Sequence, residues 1–323
     1  MTKRGPQLLL TILFVAIVFG VPLTQAIVDV VVDEDEPQVL ALFQQPPSEE
    51  NLRAFETELE EGSLFEQAVR PVFQLVRYLS LGELGEKALG GDAEGWFFYH
   101  PGVRYLVQPY FRRPGQAEDP VAVIEDFARQ LQARGVGLLV VPVPGKASIH
   151  PERLVATVRP RPAIYAHTTR LIGELRSAGV DVVSLHPAFI QARQRGAVLY
   201  MRSDTHWNGE GVRLAARVIA ERVREQPWSR RAARPRYLRR RVTVVRRGDV
   251  PRMTRIPGEE RLFSPQAVAC HRVFRQEDGA PYEDQEDSPV LLLGDSFSRV
   301  FQTDAPGAAG LIANLAYELQ LPL

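Results

Sequence analysis

The stretch "EDPVAVIEDFARQLQARGVGLLVVPVP", residues 118–144, carries the pattern that decides the fold. Its first part has the spacing of a helix that ends at Gly135. The apolar run "VGLLVVPVP" at 136–144 follows directly, and a continuous run bounded by Gly and Pro is typical of a strand buried on both faces of a sheet. The stretch therefore predicts one helix–strand unit of an α/β domain.

The same alternation continues along the chain. Apolar strands and amphipathic helices that repeat in this way predict a mainly parallel sheet flanked by helices, with binding sites at the carboxyl ends of the strands. The further predicted elements are a helix at 161–179, strands at 180–185 and 197–201, a helix at 209–226 and a strand at 288–296.

Upstream of this domain the pattern is weaker. "GDAEGWFFYHPGVRYLV" at 91–107 predicts a β-hairpin or short strands, because glycines surround an aromatic run. Residues 29–90 are acidic, and the apolar spacing within 51–80 predicts one or two amphipathic helices that link the N-terminus to the domain.

The N-terminus resembles a targeting segment. Lys3 and Arg4 precede an apolar run from Leu8 to Leu23, which is typical of a signal peptide or an uncleaved signal anchor. The run resumes with "AIVDVVV", which favours an anchor, and the basic residues place that end in the cytoplasm. The predicted organisation is a signal anchor or signal peptide at 1–28, a helical acidic linker at 29–90 and an α/β domain at 91–323.

Composition sets limits on function. Lys plus Arg and Asp plus Glu both number 39, so the net charge gives no argument for nucleic-acid binding. Residues 33–61 are acidic and residues 222–247 are rich in arginine. The arginine stretch is either a solvated surface or a contact for a polyanion such as an acidic polysaccharide or anionic lipid. Cys270 is the single cysteine, which excludes an internal disulfide and predicts a small buried apolar residue.

Two polar stretches stand at the carboxyl ends of predicted strands. They are "SDTHWN" at 203–208 and "LLLGDSFS" at 291–298. The second places Ser296 at a strand-to-helix turn, where a side chain and backbone N–H groups are exposed together. A serine hydroxyl needs a neighbouring base to act as a nucleophile at neutral pH.

Histidine is the usual base, and His206 differs from the other five histidines. Asp204 lies two residues before it, so in an extended segment both side chains point to one side and the carboxylate can orient the imidazole. The other histidines precede a proline, lie on a helix or follow the lone cysteine; they are His100, His150, His186, His167 and His271.

The residues of "SDTHWN" leave other interpretations open. Asp204, Thr205 or Asn208 could cap the helix that follows, since all three side chains accept hydrogen bonds from helix N-termini. A metal site is a weaker interpretation, because one Asp-x-His step supplies only two ligands.

"SDTHWNGEGVRLAA" at 203–216, followed later by "LLLGDSFS", resembles the AlgX/AlgJ family of alginate O-acetyltransferases. Their catalytic domain is SGNH-hydrolase-like, with a flavodoxin-like α/β fold. In ordinary SGNH esterases the Gly-Asp-Ser stretch comes first, whereas here the acid–histidine pair comes first, in the permuted order of this family. Three more stretches are similar to family elements: "GDAEGWFFYHPGVRYL" at 91–106, "VVPVPGKASIHPERL" at 140–154 and "RRGDVPRM" at 246–253.

The resemblance implies roles for individual residues. Ser296 would be the nucleophile, His206 the general base and then the acid, and Asp204 the residue that orients His206. The backbone N–H groups of Gly294 and Ser296 would form part of an oxyanion hole. Trp207 and Arg299 are candidates for substrate contact, with packing as the alternative for Trp207. Neither a cofactor nor a metal is implied.

The resemblance also implies a function: transfer of acetyl groups to hydroxyls of an exported, acidic, alginate-like polysaccharide through an acetyl-serine intermediate. The implied donor partner is a membrane-bound O-acyltransferase, and nucleic acid is not a partner. The expected location is the periplasm, with residues 8–28 anchored in the inner membrane. Two alternatives stay open: a carbohydrate acetylesterase, and a catalytically impaired binding or assembly protein of an export complex.

The sequence departs from the family at its C-terminal end. The printed sequence ends 27 residues after Ser296, where family members generally continue with a further strand–helix stretch near the site. The expectation is therefore a C-terminally short domain whose site lacks its last strand.

Overall fold

The computed structural model describes residues 4–31, 37, 40, 46, 48–116, 119–230 and 237–323. It divides into two compact units: Met1–Gly82 with Arg255–Pro257, and Glu83–Thr254 with Gly258–Leu323. The predicted acidic run at 33–36 lies outside the described residues, as do residues 231–236 of the arginine-rich stretch.

The first unit is helical. Helix α1 spans Arg4–Val31, and its part Gly5–Val31 is long and apolar enough to cross a membrane. At 1.5 Å per residue its 27 residues extend roughly 40 Å, more than the hydrocarbon core of a bilayer. Helices α2 (Glu49–Gly62) and α3 (Leu64–Leu81) confirm the prediction of one or two amphipathic helices in this region.

The second unit contains the predicted α/β motifs and many short helices. In chain order its helices are α4 (His100–Val107), α5 (Pro120–Gln132), α6 (Lys146–Ile149), α7 (Pro151–Leu154), α8 (Ala166–Ser177), α9 (His186–Gln194), α10 (Gly209–Arg224), α11 (Asp249–Met253), α12 (Glu259–Leu262), α13 (Ser296–Arg299) and α14 (Leu311–Leu319). Two 3₁₀ turns, Pro162–Tyr165 and Pro227–Arg230, precede α8 and follow α10.

In the described part of the chain the strands form three two-stranded sheets. Strands β1 (Ala88–Gly90) and β2 (Phe97–Tyr99) pair antiparallel, so a hairpin forms, but its first strand precedes the predicted range of 91–107. The prediction of strand is wrong for the second half of that range, which is helix α4. Strands β3 (Leu139–Val140) and β4 (Asp181–Val182) pair parallel. Strands β5 (Tyr237–Arg246) and β6 (Gln266–Arg275) form a long antiparallel ribbon.

The predicted sheet is therefore only partly present among the described residues. The parallel pair is two residues long on each side, and residues 197–201 contribute one bridge, between Tyr200 and Trp207. The predicted strand at 288–296 does not form: in the described part of the chain these residues have no strand partner, and Ser296 already belongs to α13.

This unpaired stretch is also exposed, contrary to the buried strand that its apolar sequence predicts. Val290 and Leu292 pack against the core, but Leu291 and Leu293 are 81% and 74% exposed. Side chains alternate along an extended chain, so one face is covered while the other, with no layer over it, faces solvent.

Glycines end the two predicted helices at the positions expected. Gly135 and Gly179 have φ of 73° and 80°, in the left-handed region that glycine adopts without steric cost. The chain reverses at each of them, and Val136 and Val180 donate back to the carbonyls of Leu131 and Leu175.

The main core lies between the ribbon and two helices. Helices α10 and α14 pack on each other and on β6, and bury Val212, Ala216, Leu315 and the side chain of Cys270. Gly211 permits the close fit at the start of α10, because a Cβ there would lie 2.4 Å from the Leu199 carbonyl oxygen.

Asn208 begins α10, as one of the sequence alternatives predicts. Its Oδ1 accepts from the backbone N–H groups of Glu210 and Gly211, at 3.0 and 3.1 Å. These bonds satisfy two of the N–H groups that a helix start leaves without partners.

We expect Asn208→Ala to lower the free energy of unfolding by about 1 kcal/mol, because it removes both cap bonds. In a unit of this size the melting temperature would fall by about 2–4 °C. Thermal unfolding followed by circular dichroism measures the change. Glu221→Ala, an exposed change on the same helix, is the control and should leave the melting temperature within about 1 °C. Equal melting temperatures for the two variants would contradict the capping role.

Candidate active site

The structure brings the two polar stretches together. Nε2 of His206 lies 2.7 Å from Oγ of Ser296, and Nδ1 of the same ring lies 2.6 Å from Oδ1 of Asp204. The three side chains form a continuous hydrogen-bonded line across 90 residues of sequence. This is the relative arrangement of acid, base and nucleophile in a Ser-His-Asp triad.

The backbone around His206 forms a tight reversal. Met201 donates to the carbonyl of His206 at 3.1 Å, and Asn208 donates to the carbonyl of Leu199 at 2.9 Å. Asp204 Oδ1 also accepts the backbone N–H of His206, at 3.0 Å. One carboxylate oxygen therefore holds both the backbone and the ring of the histidine.

Ser296 begins α13, a single helical turn. Asp295 caps this turn by accepting from Phe297 N at 2.9 Å, and Ser298 Oγ donates to the Asp295 carbonyl at 2.7 Å. A Cβ at position 294 would lie 2.9 Å from Ser298 Oγ, so Gly294 lets the turn close. The result is an exposed Ser296 at the tip of a fixed turn.

An aromatic ring joins the two halves of the site. The Phe297 ring lies 4.8 Å from the ring of His206 and meets the ring of Trp207 edge to face at 5.3 Å, centroid to centroid. The residue after Ser296 thus packs directly on His206 and on the core beneath it.

Asp249 is a site residue that was not predicted from the sequence. Its Oδ1 accepts the backbone N–H of Thr205 at 2.7 Å, and its Oδ2 accepts the Thr205 hydroxyl at 2.5 Å. The same Oδ2 lies 3.6 Å from Nδ1 of His206. Gly248 allows this approach, because a Cβ there would lie 1.7 Å from the Ser203 carbonyl oxygen.

Lys146 is the second residue that the sequence analysis did not identify. It is 6% exposed, and its Nζ donates to the carbonyls of Phe97, Arg202 and Asp204 at 2.6, 2.6 and 3.0 Å. The three hydrogens of one ammonium group therefore tie β2 to the turn that carries Asp204. Burial lowers the pKa of Lys146 to about 7, and the negative charges of Asp204 and Asp249 act in the opposite direction.

The two carboxylates differ in their electrostatic environment. Burial acts to raise the pKa of Asp204, but the hydrogen bonds and charge of His206 outweigh it, so the pKa lies below its ordinary value. The pKa of Asp249 is raised, first by burial and then by the negative charge of Asp204. Asp204 is therefore the carboxylate that stays ionised against the histidine, and Asp249 is the more easily protonated of the two.

Asp204, His206 and Asp249 each have one possible metal-ligand atom within 4.8 Å of the others. Their hydrogen bonds use the same atoms. Asp204 Oδ1 accepts from His206, and both oxygens of Asp249 accept from Thr205. These residues therefore form a hydrogen-bonded network around the imidazole of His206.

The remaining predicted site residues fall in two groups. Gly294 and Ser296 offer backbone N–H groups at the α13 turn, and Arg299 lies exposed one turn after Ser296. Trp207 is 0% exposed, so the prediction that it could contact a sugar is wrong and its alternative, packing, is correct. In an extended segment residues 204 and 206 share one face and 207 takes the opposite one, which here is the core.

The other histidines have structural contacts. His150 accepts from Leu199 N at 3.2 Å, and His186 stacks on Tyr165 with centroids 4.5 Å apart. Burial lowers the pKa of both to about 4, so they are neutral at physiological pH. Cys270 is fully buried as predicted, and burial raises its thiol pKa to about 12, which leaves no reactive thiolate.

Curated relatives share part of this chain. The probable alginate O-acetylase AlgJ of Pseudomonas aeruginosa is 33% identical over 112 residues, which are 34% of this chain and 28% of that protein. The probable alginate O-acetylase AlgJ of Pseudomonas fluorescens is 27% identical over 188 residues, 56% of this chain and 47% of that protein. The matched segments therefore span less than half the length of these relatives.

Solved structures share the fold. The O-acetyltransferase domain of Pseudomonas putida AlgJ superposes with a TM-score of 0.55 at 22% identity, covering 73% of this chain and 77% of that one. Pseudomonas aeruginosa AlgX superposes with a TM-score of 0.54 at 16% identity, covering 73% of this chain and 52% of that one. At these identities the likeness concerns the fold.

The family profile described as the SGNH hydrolase-like domain of the acetyltransferase AlgX matches residues 90–318, a segment that contains Asp204, His206, Asp249 and Ser296. The match covers well over half of the chain and the whole of the site. This chain therefore belongs to the AlgX family of SGNH-hydrolase-like acetyltransferase domains.

Proposed function

We propose that this chain is an O-acetyltransferase that acetylates hydroxyl groups of an exported, acidic, alginate-like polysaccharide. The observation that carries the proposal is the line from Ser296 Oγ through His206 to Asp204, with contacts of 2.7 and 2.6 Å. Membership of the AlgX family and the names of the AlgJ relatives support the choice of acetyl transfer and of alginate as acceptor class.

The chemistry follows from the geometry. Ser296 Oγ attacks the carbonyl carbon of an acetyl donor while Nε2 of His206 takes the hydroxyl proton. The backbone N–H groups of Gly294 and Ser296 are the candidates to stabilise the resulting oxyanion. The C–O bond to the leaving group then breaks, His206 returns the proton to it, and an acetyl-serine remains.

The second half repeats these steps in reverse. A sugar hydroxyl gives its proton to His206 and attacks the acetyl-serine carbonyl, and the proton returns to Ser296 as the ester passes to the sugar. Asp204 stays ionised throughout and stabilises the imidazolium that forms in each half. The exposed Arg299 is placed to contact the carboxylates of an acidic acceptor.

The proposed location follows from α1. The helix would hold the chain in the inner membrane, with the basic N-terminal end in the cytoplasm and the catalytic unit in the periplasm. A membrane-bound O-acyltransferase is the proposed source of acetyl groups, since acetyl donors must reach the site from across the membrane.

The test uses the full-length chain in detergent, nitrophenyl acetate as donor and mannuronate oligosaccharides as acceptor. Mass spectrometry should detect oligosaccharides heavier by one or more acetyl groups, and none without enzyme. Release of nitrophenol with unmodified oligosaccharides would identify an esterase and contradict transfer. Absence of both reactions would contradict catalysis by this chain alone.

A specific observation favours the second candidate, a binding or assembly role. Leu291 and Leu293 lie exposed immediately before the catalytic turn, on a segment that has no strand partner among the described residues. An apolar strand without a neighbour is a surface on which another strand can pair. In that role the chain would bind a partner through this segment and would give neither reaction in the acetyl-transfer assay.

Asp249 acts in this proposal as a positioning residue, through Thr205 and through its charge near His206. We expect Asp249→Asn to lower kcat roughly 10-fold with little change in KM, because Asp249 is partly buried and both of its oxygens accept hydrogen bonds from Thr205. The acid limb of the pH–rate profile should move to lower pH, since a nearby negative charge that favours the imidazolium is lost.

The control for this prediction is Asp249→Glu, which keeps the charge and should keep the acid limb at the wild-type pH. A purely structural role would lower the rate of Asp249→Asn equally at every pH. An unmoved acid limb in Asp249→Asn would therefore contradict the electrostatic part of the role.

A further inference from the structure

The β5–β6 ribbon carries two arginines directly opposite each other. Arg240 and Arg272 are register partners, so their side chains leave the same face of the ribbon with Cβ atoms roughly 5 Å apart. Like charges at directly opposed positions destabilise a strand pair unless something neutralises them.

Nothing in the described part of the chain neutralises this pair. Two neighbouring arginines of the ribbon do have acidic partners: Arg239 pairs with Glu318 at 2.9 Å, and Arg275 pairs with Asp278 at 2.7 Å. Among the described residues, neither Arg240 nor Arg272 forms an ion pair, and Nε of Arg272 is buried without a hydrogen-bond acceptor. The acidic residues described near the ribbon therefore leave the positive charges of Arg240 and Arg272 without a neutralising partner.

An aromatic ring orients both guanidinium groups. The Cζ atoms of Arg240 and Arg272 each lie 5.3 Å from the centroid of Phe274, which is next on the same face of β6. Arginines that stack on a ring are held in place and keep their in-plane N–H groups free for a planar anion. Leu238, opposite Phe274, extends this face with an exposed apolar side chain.

We infer that Arg240, Arg272 and Phe274 form a binding site for the carboxylates of an acidic polysaccharide. A guanidinium binds a carboxylate through two parallel hydrogen bonds, and the Phe274 and Leu238 side chains offer apolar surface to the face of a sugar ring. The site is separate from the catalytic line. Arg246, at the end of β5, is close enough for its charge to act on Asp204. Arg240 lies six residues before it on the same strand, so roughly 20 Å separates the two arginines. A polymer could contact both places, whereas a small acceptor could reach only one.

The inference rests on the proposed function only for the choice of polymer, and its test needs no acetyl donor. Calorimetry measures the binding of unacetylated polymannuronate to the full-length wild-type chain in detergent. The same measurement is made on the double variant Arg240→Gln/Arg272→Gln, and the two affinities are compared. We expect affinity to fall at least 10-fold at low ionic strength, and the salt dependence of binding to weaken, because two charged contacts are lost. Phe274→Leu should weaken binding less, since it keeps the apolar volume and removes the ring.

Arg275→Gln is the matched control. It removes an arginine from the same ribbon, but one that Asp278 already pairs, so affinity should stay within about twofold of wild type. A neutral glucan should not bind any variant. Thermal unfolding of each variant confirms that the fold is intact.

Two results would overturn the inference. One is equal affinity of wild type and double variant for polymannuronate, including no binding by either. The other is loss of binding to phosphatidylglycerol vesicles in the double variant while polymannuronate binding is unchanged, which would assign the pair to a lipid surface. Failure of acetyl transfer with polymer binding intact would count against the proposed function and leave this site standing.

Discussion

Ser296→Ala is expected to abolish acetyl transfer, with kcat/KM lower by about 10⁴-fold or more. The variant removes the oxygen that lies 2.7 Å from Nε2 of His206, and with it the atom that would carry the acetyl group. The one cysteine cannot take its place, because it is buried and burial raises the pKa of its thiol to about 12. The initial rate of nitrophenol release and the yield of acetylated oligosaccharide both measure the effect.

Ser298 offers a matched control for this prediction. It stands two residues later on the same helical turn, and its Oγ is engaged with the Asp295 carbonyl. Ser298→Ala should therefore keep its rate within a few-fold of wild type, at a cost of about 1 kcal/mol for the lost hydrogen bond. Acetylated Ser296 should be detectable in a peptide digest of wild type after brief exposure to donor. If Ser296→Ala retains the wild-type rate, the nucleophile has been misassigned.

Much of the site was predictable because its signals are local. Asp204 and His206 lie two residues apart in an extended segment, and the Gly-Asp-Ser turn follows an apolar run. The structure has the two stretches 2.7 Å apart, as predicted, although neither of the strands predicted to precede them forms a strand ladder among the described residues. The helix cap at Asn208 and the hairpin of β1 and β2 were predictable for the same reason.

Asp249 and Lys146 were not predictable from spacing. Asp249 reaches Thr205 across 44 residues, and Lys146 reaches Asp204 across 58. A lone lysine or aspartate in a loop has the same local sequence whether it is solvated or buried. The usable signal was Gly248 before Asp249, within a stretch that resembles a family element, because a glycine beside a polar residue can mark close backbone approach.

The extent of the sheet was the least predictable feature. An apolar run such as "VLLL" at 290–293 has the same composition whether neighbouring strands cover it or not. Strand formation depends on hydrogen bonds to residues far away in sequence, so periodicity identifies the extended segment but not its partner. In this structure the side chains of Val290 and Leu292 pack against the core, whereas those of Leu291 and Leu293 are exposed. No described strand pairs with the backbone of this segment.

Lys146→Met is expected to give the largest loss of stability, about 3–5 kcal/mol in the free energy of unfolding. Methionine preserves the unbranched apolar stem but cannot donate to the carbonyls of Phe97, Arg202 and Asp204. The Arg202 carbonyl keeps the backbone N–H of Phe97 at 2.9 Å, whereas the buried carbonyls of Phe97 and Asp204 lose the donor that Lys146 supplies. The ammonium group also lies 5.1 Å from the ring of Trp96, a contact that methionine replaces only in part. The melting temperature should fall by about 10 °C or more.

Activity should fall with stability, because two of the three carbonyls belong to the turn that carries Asp204 and leads to His206. Lys87→Met is the matched control: Lys87 is exposed, so the same substitution should change the free energy of unfolding by less than about 0.5 kcal/mol. Chemical denaturation of the two variants side by side measures the difference. If Lys146→Met is as stable as Lys87→Met, the carbonyls have found other donors, and the turn around Asp204 is held by Asp249 and Thr205 instead.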